Sequence, residues 1–150
     1  MDKLKILVLG GNGFIGKNIF NNLIKHGYDC KKLVRKKSFT FNSNEIYYYE
    51  KSNKIHFSDK INKFDYFINC IGNHSNIKSF EYVNNYLIRK IIKNIINKNV
   101  KKITFIQISS LSVYGNTFST NNIIINEETL EKPFNEYGKS KLDIDNFLIK

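Results

Sequence analysis

The chain has 150 residues, enough for one domain with a hydrophobic core, and its 41% hydrophobic and 25% charged residues are typical of a globular protein. No apolar run approaches the ~20 residues that a membrane-spanning helix needs, and no signal peptide follows Met1. Cys30 and Cys70 do not have metal-ligand spacing, so the sequence predicts a reduced, cytoplasmic protein with no metal and no membrane partner.

The net charge of +11 raises the question of nucleic-acid binding. Arg35 and Arg89 are the only arginines among the 24 basic residues, and the lysines are spread along the chain, in part as pairs such as Lys31-Lys32. No RNA-binding signature surrounds the aromatic cluster at 47–49. We therefore interpret the lysines as a solvated surface and expect no nucleic-acid partner.

Strand-like and helix-like segments alternate along the chain. Continuous apolar runs predict strands at 5–9, 65–71 and 103–108, and weaker patterns predict strands at 28–34 and 45–49. Helical stripes run from Ile15 to Ile24, with Gly27 at the C-cap, and from Phe80 to Ile96, and a final helix is expected from about Glu136, after a loop over 115–135. Such alternation favours right-handed crossovers, and hence a doubly wound parallel sheet of five strands in one α/β domain, residues 1–150.

The stretch GGNGFIG at 10–16 follows the first predicted strand and opens the first predicted helix. Glycines in this context allow a tight turn, the approach of a pyrophosphate to the backbone, and close packing of helix on strand. The helix N-terminus adds N–H donors and partial positive charge. The sequence therefore predicts a dinucleotide site formed by Gly10, Gly13, Phe14, Ile15 and Gly16.

The end of the second strand indicates which dinucleotide is preferred. An NAD site usually has an acidic residue there to bind the ribose hydroxyls, but this chain has Arg35, followed by Lys36 and Lys37. Asp29 is expected too early, in the preceding turn. Because a guanidinium can bind a 2′-phosphate bidentately, we predict NADP, with NAD as the alternative.

Five motifs occur in a recognisable order: GGNGFIG, INCIG at 68–72, VNN at 83–85, ISSLSVYG at 108–115 and EYGKSK at 136–141. In this order the chain resembles the N-terminal part of the extended short-chain dehydrogenase/reductase family, the NAD(P)-dependent epimerases and dehydratases of sugar nucleotides. The resemblance implies a Rossmann-type fold, a sugar-nucleotide substrate and a role in surface-polysaccharide synthesis.

The resemblance also implies a catalytic trio. Four Tyr-x-x-x-Lys pairs occur in the sequence, but only Tyr137 and Lys141 follow the serine-containing strand and begin a predicted helix. Residues four apart share a helix face, so Lys141, together with the oxidised nicotinamide ring, can stabilise the Tyr137 phenolate and lower its pKa toward neutrality. By resemblance Tyr137 is the acid/base, Lys141 also binds the nicotinamide ribose, and Ser110 stabilises charge on the reacting oxygen.

Other residues near these motifs have weaker assignments. Asn84 is expected to cap or brace the long helix, and Tyr114 to line the substrate pocket. His26 is expected at a helix end, and His56 and His74 in loops.

The family's substrate-binding C-terminal part does not appear in this sequence. The chain is then a piece of an epimerase or dehydratase, a short dinucleotide-binding module without catalysis, or a protein completed by a second polypeptide. The resemblance also implies a homodimer packed through the helices at 79–98 and 136–150.

Overall fold

A computed structural model of the protein describes residues 4–35, 42–73, 80–115 and 124–149. His74, Lys36 and Lys37, to which the sequence drew attention, lie outside these ranges. In chain order the described elements are β1 (Lys5–Leu9), α1 (Phe14–Lys25), β2 (Asp29–Arg35), β3 (Glu45–Lys51), β4 (Lys54–Phe57), β5 (Tyr66–Asn69), a π-helix (Tyr82–Leu87), α2 (Ile88–Lys98), β6 (Thr104–Gln107), a 3₁₀ helix (Leu111–Tyr114) and α3 (Glu136–Ile149).

The described strands form one six-stranded sheet in the order β4-β3-β2-β1-β5-β6. All neighbours are parallel except β3 and β4, which pair as an antiparallel hairpin. The strand order reverses at β1, as in Rossmann-type folds, so the carboxyl ends of β1 and β5 border the crevice where such sheets bind ligands. The predicted fold class is confirmed.

The strand count was wrong by one, because β4 was not predicted. Its sequence KIHF has weak alternation, and it is joined to β3 by a tight turn in which Ser52 and Asn53 adopt positive φ. His56, expected in a loop, belongs to this strand and stacks on Tyr49 with ring centroids 5.2 Å apart. Asp29, expected in a turn, is the first residue of β2.

The core lies on both faces of the sheet. Ile6 and Val8 pack with Phe20 of α1, while Leu7 and Leu9 alternate with them and are fully buried. Four isoleucines of α2 recur at helical spacing and are buried, namely Ile88, Ile91, Ile92 and Ile95. The middle of each predicted stripe therefore faces the core, with Ile19 and Leu23 of α1 packed against it, whereas the stripe ends Ile15, Ile24 and Ile96 are exposed.

By their internal contacts the described residues divide into two compact units. The first contains the sheet, α1 and α2, within Met1–Gly72 and Ile88–Ile108. The second contains the π-helix, the 3₁₀ helix and α3, within Asn73–Leu87 and Ser109–Lys150. None of the described helices is long and apolar enough to cross a membrane.

Candidate cofactor and catalytic sites

The glycine loop lies in the first unit, between β1 and α1. Gly10 has φ +74°, and a Cβ on it would lie 3.0 Å from the backbone nitrogen of Ile71. The Gly13 amide then donates to the Gly10 carbonyl at 2.9 Å, which closes the turn. Positive φ and the nearby β5 segment together require glycine at this position.

The first turn of α1 packs directly onto this loop. A Cβ on Gly16 would lie 2.4 Å from the Gly10 carbonyl oxygen, whereas a Cβ on Gly13 would meet that oxygen only at 3.3 Å. Gly16 is therefore required for packing, and Gly13 leaves the helix end open to a ligand. Phe14 and Ile15 point outward, with 87% and 49% of their surfaces exposed.

The open end of α1 has the character of an anion site. Gly13 is the N-cap, no described side chain caps the helix there, and its first turn contains no acidic residue. The N–H groups and the positive end of the helix dipole are thus left for a bound anion. These residues fit the pyrophosphate of a dinucleotide, because Gly13 has no Cβ and a phosphate can therefore approach the backbone there.

Arg35 is the last residue of β2 and is exposed, and it lies in register with Tyr48 of β3. Asp29 is at the opposite end of the same strand. Because β2 and β1 are parallel neighbours, Arg35 is at the carboxyl edge of the sheet, the edge at which the glycine loop begins. β2 has no carboxylate at this edge, because its one acidic residue lies at the other end of the strand.

The serine, tyrosine and lysine of the predicted trio lie in the second unit. Ser110 is the N-cap of the 3₁₀ helix, and its hydroxyl oxygen accepts a hydrogen bond from the Ser112 amide at 3.2 Å. The hydroxyl hydrogen of Ser110 is not used in that bond and can be donated to another group. Tyr114 ends the same 3₁₀ helix and is half-buried.

Gly138 determines how closely α3 packs on this serine segment. A Cβ at Gly138 would lie 2.2 Å from the Ser112 carbonyl oxygen, so any other residue would push the helix away. The amide of Gly138 donates to Asn135 Oδ1 at 2.7 Å, which caps the helix. The sequence analysis did not identify Gly138, although a glycine in the first turn of a helix was a usable signal.

Tyr137 and Lys141 are brought together on one face of α3. The Lys141 Nζ lies 5.9 Å from the centroid of the Tyr137 ring, and Lys141 is only 7% exposed. The Tyr137 ring also makes an edge-on contact with Phe80, with centroids 6.3 Å apart. The expected helix and pairing are thus present.

The Tyr137 side chain is half-buried. Burial raises its pKa above the ordinary value of 10.0. That Lys141 and the oxidised nicotinamide ring together lower this pKa toward neutrality stays a prediction.

Asn84 braces this region, as predicted. It is 5% exposed, and it both accepts from the Asn73 amide at 2.8 Å and donates to the Asn73 carbonyl at 2.7 Å. It also donates to the hydroxyl of Ser140 at 3.4 Å, and Ser140 donates to the Tyr137 carbonyl at 2.8 Å. The π-helix that carries Asn84 is therefore tied to the turn of α3 between Tyr137 and Lys141.

One contact in this unit was not anticipated. Ser109 donates a hydrogen bond to Asp145, which lies one turn after Lys141. Burial raises the pKa of Asp145, and this is opposed in part by the Ser109 bond and the Lys141 charge. In the sequence, Asp145 could have been singled out by its spacing of four residues from Lys141, which places both side chains on one face of α3.

Among the residues that the structure describes, two of the cavities beside α3 have no lining residue in common. One of about 430 Å³ is lined in part by Ser110, Tyr114 and Asp145, and the other, of about 700 Å³, by Phe80 and Tyr137. Tyr137 and Lys141 thus lie together, while Ser110 lines the first of these two cavities and Tyr137 the second. No group of three or more described His, Cys, Asp or Glu residues could hold a metal ion.

Residues 6–150 match the family model described as the NAD dependent epimerase/dehydratase family. The chain belongs to this family. A relative from Brachyspira hyodysenteriae, ADP-L-glycero-D-manno-heptose-6-epimerase, is 31% identical over 97% of the chain, and the bifunctional protein GAL10 of Kluyveromyces lactis is 28% identical over 95%. The chain spans 48% and 23% of the lengths of these two relatives.

Solved structures agree on the fold of this epimerase/dehydratase family member. The crystal structure of UDP-glucuronic acid 4-epimerase from Bacillus cereus in complex with NAD has a TM-score of 0.70 at 22% identity. The match covers 97% of this chain and 50% of that one. A dTDP-glucose 4,6-dehydratase from Bacillus anthracis in complex with NAD gives a TM-score of 0.64 at 20% identity, over 96% of this chain and 49% of that one.

Proposed function

We propose that this chain carries the cofactor-binding and acid–base residues of an NADP-preferring sugar-nucleotide epimerase, dehydratase or reductase. The observation that carries the proposal is the glycine loop, in which Gly16 lets α1 pack onto Gly10 while Gly13 leaves the helix end open. Family membership supports a nicotinamide dinucleotide as the group bound there.

The bound dinucleotide would accept or return a hydride at its nicotinamide ring. Gly10, Gly13 and the amides of the first turn of α1 would hold its pyrophosphate. Arg35 would bind the 2′-phosphate of NADP, because its planar guanidinium suits a phosphate better than a ribose diol. A change from Arg35 to a carboxylate would favour NAD instead.

Tyr137 would exchange a proton with a sugar hydroxyl during hydride transfer. Burial keeps its phenol protonated, so Tyr137 suits the acid role unless more positive charge comes close to its oxygen. Lys141 supplies one such charge at the ring, and by family resemblance it also binds the nicotinamide ribose. Ser110 would donate its hydroxyl hydrogen to the reacting oxygen.

Relatives and neighbours named as epimerases and dehydratases of ADP-, UDP- and dTDP-sugars support a sugar nucleotide as the substrate class. A role in surface-polysaccharide synthesis and a homodimer packed through helices 79–98 and 136–150 complete the proposal. Both come from the resemblance to the family.

The test is calorimetric titration of the chain with NADP⁺ and NAD⁺, followed by turnover assays with ADP-, UDP- and dTDP-sugars. We expect tighter binding of NADP⁺, reversal of that preference in Arg35→Asp, and turnover that disappears in Tyr137→Phe while binding persists. Binding without turnover of any of these sugars would instead support a non-catalytic dinucleotide-binding module. A folded chain that binds neither cofactor would refute the proposal.

A further inference from the structure

Lys32 of β2 reaches across to the tip of the glycine loop. Its Nζ donates to Asn12 Oδ1 at 3.0 Å, although Asn12 itself is exposed and 20 residues away in the sequence. The lysine was expected to be solvated surface charge, but only 16% of its side chain is exposed. That expectation was wrong for Lys32.

The stem of Lys32 is fixed on two sides. A Cβ at Gly11 would lie 2.2 Å from the Lys32 Cβ, so the loop backbone lies directly on the lysine stem. The Lys32 Nζ lies 5.4 Å from the centroid of the Phe20 ring, within cation–π range. A stem packed in this way holds the ammonium in one place and reduces the entropy lost when it binds Asn12.

A carboxylate balances the charge of Lys32. Glu45 of β3 lies 3.0 Å from the Lys32 Nζ and is 13% exposed. Its other oxygen accepts from the Tyr47 hydroxyl at 2.8 Å, and that hydroxyl accepts from the Asn42 amide. Burial alone would raise the pKa of Glu45, but the bonds from Lys32 and Tyr47 outweigh it, and its pKa lies below the ordinary value.

We propose that Lys32 is a positioning residue that fixes the tip of the glycine loop, and that Glu45 limits how strongly its charge favours a 2′-phosphate. This inference rests on the proposed function and deepens it. The adenosine ribose of such cofactors lies between the glycine loop and the end of the second strand. A positive charge held there attracts NADP more strongly than NAD, because NADP carries a negatively charged 2′-phosphate where NAD has a hydroxyl. The Lys32–Glu45 pair therefore adjusts a preference that Arg35 creates.

The test measures the dissociation constants of NADP⁺ and NAD⁺ for the wild type, Lys32→Met, Glu45→Gln and the double variant. Methionine keeps an unbranched stem beneath Gly11 and deletes the ammonium. We expect Lys32→Met to weaken both cofactors about three- to tenfold through loss of the loop contact. We also expect it to shift the NADP/NAD affinity ratio about two- to fivefold toward NAD.

Glu45→Gln is expected to shift the ratio about two- to fivefold toward NADP, because it leaves the ammonium uncompensated. The double variant restores the balance of charge, so its ratio returns to the wild-type value while both affinities stay weakened. A purely structural role for Lys32 would weaken both cofactors and leave the ratio unchanged in all variants, and that result would overturn the inference.

Asn12→Ala tests the same contact from the loop side, in case Lys32→Met or Glu45→Gln does not fold. It removes the acceptor at the exposed tip, and we expect both affinities to fall by the same factor, with the ratio and the melting temperature kept. Wild-type affinities in Asn12→Ala would overturn the positioning role. Failure of the wild type to bind either cofactor would refute the proposed function instead, which distinguishes the two failures.

Discussion

Replacing Gly16 with alanine tests whether close packing of α1 builds the cofactor loop. The added Cβ would lie 2.4 Å from the Gly10 carbonyl oxygen and 2.9 Å from its carbon, about 1 Å closer to the oxygen than ordinary contact permits. These are backbone atoms, so the helix or the loop must move. Overpacking of this kind costs about 1–3 kcal/mol, and the better helix propensity of alanine offsets up to ~1 kcal/mol.

We therefore expect Gly16→Ala to lower the free energy of unfolding by about 1–2 kcal/mol, which corresponds to a melting temperature about 2–8 °C lower. Urea unfolding followed by circular dichroism measures the stability, and calorimetric titration with NADP⁺ measures binding. Both should decrease, because the moved helix no longer presents its amides at the loop.

Gly13→Ala is the matched control. Gly13 has φ −72° and ψ 166°, which any residue adopts, and its Cβ would lie 3.3 Å from the Gly10 oxygen, a tight contact but longer than the 2.4 Å contact at Gly16, so stability should fall by less than ~1 kcal/mol. Binding should still fall about tenfold or more, because the methyl group takes the place where a phosphate approaches the backbone. Unchanged stability in Gly16→Ala, or wild-type affinity in Gly13→Ala, would refute this account of the loop.

Three further predictions concern titration and buried polar groups. The raised pKa of Tyr137 means that the folded state holds this proton more tightly than the unfolded chain, so wild-type stability should fall as the pH rises above about 10. Urea unfolding at pH 9–11 should show a shallower fall in Tyr137→Phe, and equal slopes would contradict the assignment. Burial raises the pKa of Cys30 to about 12, so in a Cys70→Ser chain at pH 8 a thiol reagent should label Cys30 only on unfolding; rapid native labelling would count against its burial. Gln107→Leu removes the acceptor of the Asn69 side-chain amide, a 2.7 Å bond at a fully buried residue, and should lower the free energy of unfolding by about 1–3 kcal/mol. Urea titration measures this change, and wild-type stability in Gln107→Leu would show that the bond contributes nothing.

Much of the fold could be predicted because its signals are local. The apolar run of β1 and the helical spacing of the buried isoleucines in α2 each follow from burial within one element. Gly27 follows α1 and has φ +79°, as expected of a glycine that terminates a helix. The hairpin strand β4 was missed because it is short and its pairing depends on β3 rather than on its own pattern.

The glycine loop could be found because it lies between a predicted strand and a predicted helix. The Tyr137–Lys141 pair could be found because, among four pairs with this spacing, it alone follows the serine-containing strand and begins a predicted helix. The sequence by itself thus determined the parallel sheet, the position of the glycine turn and the types of residue available for chemistry. It also determined that an arginine, Arg35, stands where β2 ends.

Only the tertiary structure decided how those groups behave, because burial and charge depend on neighbours that are distant along the chain. The Tyr137 pKa rises because α3 is buried against Phe80 and the serine segment, which no local pattern reports. Lys32 is one of many lysines in the sequence, and it is distinguished only because β3 and the glycine loop bring Glu45 and Asn12 to its ammonium. A side chain's charge can be read from the sequence, whereas the free energy of that charge depends on the groups that folding packs around it.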